Sequence, residues 1–415
     1  MRSGSFLVVG NGTVLDRIQT GGPGALNTPN EQIYEVGNFK SVGRVYDTPD
    51  LTYDVESLDV STEFESKLLD AVPHAVPGDS TVGSLHEFDL STYKPIDIVS
   101  PMKFDRGNYS IYNGIITPYL YLDSVTYRYG VRQNATQTFS LKGDSVYYTE
   151  GNPFYEEFVY DGSSNATKSF TFPGATGASA ATEYVEQGES VYAYCVTILN
   201  STTGEVKRLF HGEDYTDDDS GFTITAAHSG FDKIRVCYAG DGTLEYPQTV
   251  HQNVSVKPAA VRGKDIKVRL GSTDATPVFS NVRGAQTAEA TQRFNISVDE
   301  ELGNHHAVGQ DFDVPEVTGS ISLKPIGVES FFDHLHKITG VADGQTIGPS
   351  LTALIPLEIQ ILDPDASGDV LKTIYIPDAR FDVPGVTARA NAKIDGVALN
   401  YSSDSGTMLV YDGAR

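Results

Sequence analysis

From 317 to 324 apolar and polar residues alternate without a break. Val317, Gly319, Ile321 and Leu323 take one side, and Thr318, Ser320, Ser322 and Lys324 the other. A period of two is that of a strand with one buried face. Pro325 ends it, and the period changes. Val328, Phe331, Phe332, Leu335 and Ile338 fall at helical spacing up to Gly340, predicting a short amphipathic helix straight after the strand. The same succession recurs near the start. Tyr53 and Val55 alternate with Asp54 and Glu56, and "STEFESKLLDAV" at 61–72 opens with Ser or Thr followed by Glu, ahead of Phe64, Leu68 and Leu69.

Phe294, Ile296 and Val298 alternate with Arg293, Asn295, Ser297 and Asp299, predicting a hairpin with 313–324 across "LGNHHAVGQDF". "LTALIPLEIQILDP", "LKTIYIPDARFDVPG" and "SGTMLVYDG" add further strands, and aromatic alternation fills 114–151. Two strand-plus-helix units at opposite ends predict one domain in two halves, 1–150 and 263–415. Its first 32 residues, broken by Gly21, Gly22, Pro23 and Gly24, read as an irregular arm. Between the halves, 151–262 holds short strands ("SVYAYCVTIL", "EVKRLF", "GFTITAA", "KIRVCYAG") separated by turn clusters. That is the pattern of an inserted small antiparallel sandwich. The fold class is mainly β.

Composition agrees. Forty Gly, 20 Pro and 23 Tyr with no Trp suit a turn-rich β protein, and 415 residues are enough for a sizeable core. A formal charge of −25, from 30 basic and 55 acidic residues, argues against a protein that grips nucleic acid. It suits a soluble surface or one that repels polyanions. No apolar run reaches the length of a membrane helix, and the run in "MRSGSFLVVGNG" is too short for a signal peptide, so synthesis in a cytoplasm is expected. Cys195 and Cys237 are then expected to be thiols within strands.

Candidate chemistry is sparse. His305 and His306 sit in a Gly-Asn loop and read as a hairpin tip; His334 and His336, two apart on the predicted helix, diverge. "DYTDDDSG" at 214–221 lacks the spacing of a calcium loop and reads as a charged hairpin connection. Asp363, Asp365 and Asp369 in "DPDASGD" match such a loop somewhat better, beside the plainer reading of a turn. No phosphate-cradling glycine loop or nucleophile elbow is present, and carboxylate pairs carry no weight among 55 acids. Neither an enzyme nor a cofactor is called for.

The order "VGRVYDTPDLTYDVESLDVSTEFESKLL", then "DFDVPEVTGSISLKPIGVESFFDHLHKITG", then "TIYIPDARFDVPG" resembles the major tail tube proteins of tailed bacterial and archaeal viruses. The likeness covers 40–75 and 285–415 well and 85–150 loosely. The segment 151–262 is similar to the immunoglobulin-like domain that some tail proteins insert. The resemblance implies a β-sandwich or partial barrel with a flanking helix, whose Phe331, Phe332, Leu335 and Ile338 pack on the sheet. It implies hexameric rings stacked into a tube in the virion tail, assembled in the host cytoplasm. Expected partners are further copies of the chain, the tape-measure, tail-terminator and baseplate or tip proteins, a sheath protein where one exists, and viral DNA in transit. Asp54, Glu56, Asp299 and Glu316 are the acids expected to face the bore. A virion surface adhesin, monomeric or trimeric, is the alternative, and a polysaccharide hydrolase a remoter one.

Overall fold

The computed structural model describes residues 4–6, 8–15, 18–27, 30–33, 43–46, 49–58, 62, 64–65, 74–75, 86–89, 94–106, 109–149, 151–161, 168–173, 181–182, 190–240, 261–272, 277–299, 306, 309–324, 354–364, 368–382 and 397–415. It is mainly β, 66% strand in several antiparallel sheets, with no helix of 7 or more residues among the described residues, so strand pairing builds the core. The expected helix carrying Phe331, Phe332, Leu335 and Ile338 lies outside the described residues. Of 61–72 only Thr62, Phe64 and Glu65 are described. All three are buried, and Phe64 and Glu65 form a helical turn whose Phe64 ring stacks on Phe139 at 5.1 Å.

One wide antiparallel sheet runs from Ile18–Pro23 through Leu51–Ser57, Thr136–Gly143, the second half of Tyr109–Gly130, Ala285–Arg293 and Glu316–Leu323 to Val397–Ser403. Alternation in each strand turns Tyr53, Val55, Phe139, Val125, Tyr127, Ala290, Ile321 and Leu399 to one side, where all are buried. Val370–Phe381 joins the far edge and also pairs with Ile355–Leu362 and Leu409–Asp412, whose apolar residues enter the same core. The expected 293–299 hairpin forms with a different partner stretch. Arg293 pairs with Glu316, then Asn295 adopts φ 45°, and the ribbon resumes as Ile296–Asp299 against Gly309–Phe312. The strand Gly309–Phe312 thus comes out of what the sequence presents as loop.

Strand Tyr109–Gly130 serves two sheets. Its first half pairs with Ile96–Arg106 and Tyr147–Thr149, its second half with the wide sheet. The switch falls between Leu120 and Tyr121, just past an irregularity at Tyr119, held at φ 53°, a region unfavourable for a bulky residue. Buried Asp97 holds it there by accepting the Tyr119 N–H at 2.9 Å. The described residues of 1–32 differ from an irregular arm. Gly4–Phe6 and Val9–Gly10 pair with Ile96–Arg106, Ile18–Pro23 pairs with Leu51–Ser57, and Val8, Val9 and Leu15 are core. Strands of two to six residues are too short to show a period, and glycines at an edge hide them further.

Among its described residues, the segment 151–262 holds a four-stranded and a three-stranded sheet, besides the short pair Ala181–Thr182 and Ser190–Val191. Asn152–Val159, Lys233–Gly240, Ala193–Leu199 and Val206–Leu209 form one; Lys168–Thr171, Gly221–Ile224 and Tyr215–Asp218 form the other. Phe154, Val196, Ile198, Phe222, Val236 and Tyr238 fill the space between them. The four-stranded sheet is covered on its second face too, where Tyr194, Cys195, Cys237 and Ala239 join the core of the main body. All seven residues of Ala193–Leu199 are buried in consequence. Tyr194 packs on Tyr147 with ring centroids 5.0 Å apart.

Candidate functional site

The outward face of the wide sheet is polar throughout its rows. Pairing aligns Thr20, Glu56, Thr138, Thr126, Thr291, Thr318, Ser402 and Arg380 in one row across eight strands. At about 4.8 Å per strand that row spans roughly 33 Å. A flanking row carries Asp54, Ser140, Ser124, Arg293 and Glu316; the other carries Thr136, Arg128, Glu289, Ser320 and Asn400. β-Branched threonines suit this surface, where each hydroxyl lies beside its cross-strand neighbour.

Several of these side chains pair with one another. Ser140 Oγ donates to Asp54 Oδ1 at 2.6 Å, Thr20 Oγ1 to Glu56 Oε2 at 3.3 Å, and Thr126 and Thr291 share a hydrogen bond of 3.0 Å. Arg128 forks onto Glu289, with Nε at 3.0 Å and Nη2 at 3.3 Å, and Glu289 holds the Arg128 pKa up through that hydrogen bond and its charge. Arg380 pairs with Asp404, and Arg293 stands opposite Glu316. Four carboxylates (Asp54, Glu56, Glu289, Glu316) meet three guanidiniums (Arg128, Arg293, Arg380) in these rows, a difference of minus one. The face is nearly neutral, and the chain's −25 sits almost wholly elsewhere.

Three of the four acids singled out from the sequence, Asp54, Glu56 and Glu316, therefore share one face. Asp299 does not belong to this sheet; it ends the ribbon strand paired with Gly309–Phe312.

Several of the remaining sequence candidates have structural partners. Asp217 Oδ2 accepts the N–H groups of Tyr192 and Ala193 at 2.8 and 2.6 Å, fixing the start of Ala193–Leu199; burial still raises its pKa. Asp218 closes the hairpin by accepting from Ser220 and Gly221, and the Ser220 hydroxyl bond lowers its pKa. Asp214 accepts the Phe210 N–H. Asp214, Asp217 and Asp218 are thus hairpin fasteners. In 363–369 the Asp363 N–H reaches the Asp369 carbonyl at 2.8 Å, closing a turn with Gly368 at φ 106°; Asp365 lies outside the described residues, as do His305, His334 and His336. His306 Nδ1 lies 3.4 Å from Asp144. Among the described residues no three His, Cys, Asp or Glu side chains gather as a metal-binding group.

Sequence reasoning missed the buried charges. Arg208 of strand Val206–Leu209 and Asp144, 3% and 6% exposed, pair at 2.8 Å, and Arg208 also lies 5.5 Å over the Tyr119 ring. Burial works to lower the Arg208 pKa, but Asp144 and its neighbours hold it raised. Glu358 lies between Arg269 at 2.9 Å and Arg415 at 3.8 Å. A charged residue inside an apolar strand, such as Lys372 in "VLKTIYI", was the available signal. No protein-family model matches the chain, and no curated protein matches it either.

Proposed function

We propose that this chain is a structural virion protein, a tail tube subunit that assembles with itself into stacked hexameric rings for the passage of viral DNA. The observation that carries this reading is the wide sheet with one face in the core and the other lined by hydroxyls and paired charges. Copies of such a sheet joined edge to edge would make a closed wall and leave no strand edge open. A wall of this chemistry suits DNA that must move and not bind. Phosphate binding needs clustered, available Lys and Arg, whereas Arg128 is committed to Glu289 and Arg380 to Asp404. On this reading DNA slides mainly because nothing grips it, and the −25 carried on the rest of the chain adds a long-range repulsion.

The finer architecture belongs to the same proposal. The main body is a tail-tube-type sandwich or partial barrel with a flanking helix, on which Phe331, Phe332, Leu335 and Ile338 form the apolar stripe. The segment 151–262 is an immunoglobulin-like decoration fixed to it. Tape-measure, tail-terminator and baseplate or tip proteins are the partners, and the virion tail is the place of action.

Negative-stain electron microscopy of the purified chain, across concentration and salt, tests this. Six-fold rings or hollow tubes are expected. Discrete trimers or fibre-shaped particles would overturn the tube in favour of a virion adhesin.

A further inference from the structure

Cys195 and Cys237 stand directly opposite each other on neighbouring antiparallel strands of the inserted domain. Neither is in a disulfide; they are 4% and 0% exposed, and both point to the core shared with the wide sheet, since Val196 and Val236 beside them fill the opposite core. Directly opposed residues have Cα atoms about 4.5–5.5 Å apart, inside the roughly 4.4–6.8 Å that a disulfide spans. The pairing register shifts between Ala193 and Cys195, and such irregularities sharpen the local twist, which helps one side chain turn toward the other.

We propose that Cys195 and Cys237 are a latent disulfide pair, kept reduced by the packing of the inserted sheet on the body and closed by a small soluble disulfide when that packing opens. The step balances. One cysteine thiolate attacks the soluble disulfide, giving a mixed disulfide and releasing one soluble thiol. The second cysteine then attacks the mixed disulfide, forming the Cys195–Cys237 bond and releasing the other soluble thiol. The protein loses two hydrogens and the soluble disulfide is reduced to two thiols.

The closed state blocks this in two ways. The body covers both sulfurs, and burial raises the Cys237 thiol pKa well above its ordinary value, leaving little thiolate to attack. Once formed, the bond would close the whole stretch 195–237 and hold two central strands together, restricting the unfolded chain.

Incubation of the full chain with oxidised glutathione, in native buffer and separately in urea at the foot of the unfolding transition, provides the test. Each sample is returned to native buffer, alkylated, and read by intact mass and peptide mapping. The native sample should keep two slowly labelled thiols. The opened sample should lose two hydrogens, yield a peptide linking Cys195 to Cys237, and melt at higher temperature than the reduced protein. Cys195→Ser should instead take one glutathione at Cys237. Glutathione on both cysteines without a crosslink, unreacted thiols after opening, a crosslink that lowers Tm, or rapid labelling in native buffer would each overturn the proposal.

Discussion

Lys372 and Glu65, 307 positions apart, form an ion pair with neither side chain exposed at all. Tyr127 donates its hydroxyl to the same Glu65 oxygen at 2.5 Å, and Lys372 also donates to Gln137 at 3.0 Å while lying 4.7 Å over the Tyr127 ring. The cluster ties the helical turn at Phe64–Glu65 to three strands of the core. A charge in this position is tolerated only with its partner, because desolvation of either ion alone costs several kcal/mol.

Lys372→Met should therefore destabilise the fold by about 3–5 kcal/mol, since Glu65 is left buried without its cation. Lys372→Met with Glu65→Leu should recover most of that loss, because an apolar pair of similar volume removes both desolvation costs. Urea unfolding of the two variants checks the pair. A single variant as stable as the parent would remove the cluster's claim to hold the turn.

Gly319 sits where a methyl group cannot. A Cβ there would fall 2.2 Å from the Glu289 carbonyl oxygen and 2.3 Å from the Tyr401 hydroxyl, because the Tyr401 ring crosses Gly319 to donate to Glu289 at 2.8 Å. Gly319→Ala should cost about 1–3 kcal/mol by overpacking. Tyr401→Phe should cost about 0.5–1.5 kcal/mol for the hydrogen bond alone. Calorimetric melting of both variants should place alanine below phenylalanine.

Burial raises the pKa of Asp97 above its ordinary 3.8, outweighing the Tyr119 N–H and the charges of Arg235 and Arg208. The unfolded chain then sheds this proton at lower pH than the folded one. Asp97's contribution is complete below 3.8 and is lost as pH rises through the folded value. Asp217 and Glu358 are shifted the same way, also by burial. Asp97→Asn, which keeps an oxygen for Tyr119, should flatten the fall in Tm as pH rises above about 3.8. An unchanged slope would show that other groups set it.

The tube proposal makes a charge prediction. Asp54→Lys with Glu316→Lys would turn a nearly balanced face cationic while leaving its buried side untouched. Particles carrying both changes should assemble tubes but release DNA more slowly, and the delay should shrink as salt rises. DNA release at the parental rate would place this face away from the bore.

Much of the architecture is legible in alternation alone. Tyr53 and Val55 against Asp54 and Glu56, and Ile321 and Leu323 against Ser320 and Ser322, divide between core and open face as the period of two requires. The partners of these strands are not legible. Glu56 and Thr318 fall in one row only because the three strands between them keep register through four pairings, and a one-residue slip would break it.

The sequence by itself determined a β protein with an acidic balance and strands of assignable face, because side-chain direction in a strand follows from local spacing. Only the tertiary structure decided that the middle segment's four-stranded sheet is buried on both faces, that Cys195 meets Cys237, and that Lys372 finds Glu65. Those are contacts between residues far apart in the chain. Their energy depends on shared burial and the exclusion of water, and no local pattern of residue types encodes which distant partner will supply them.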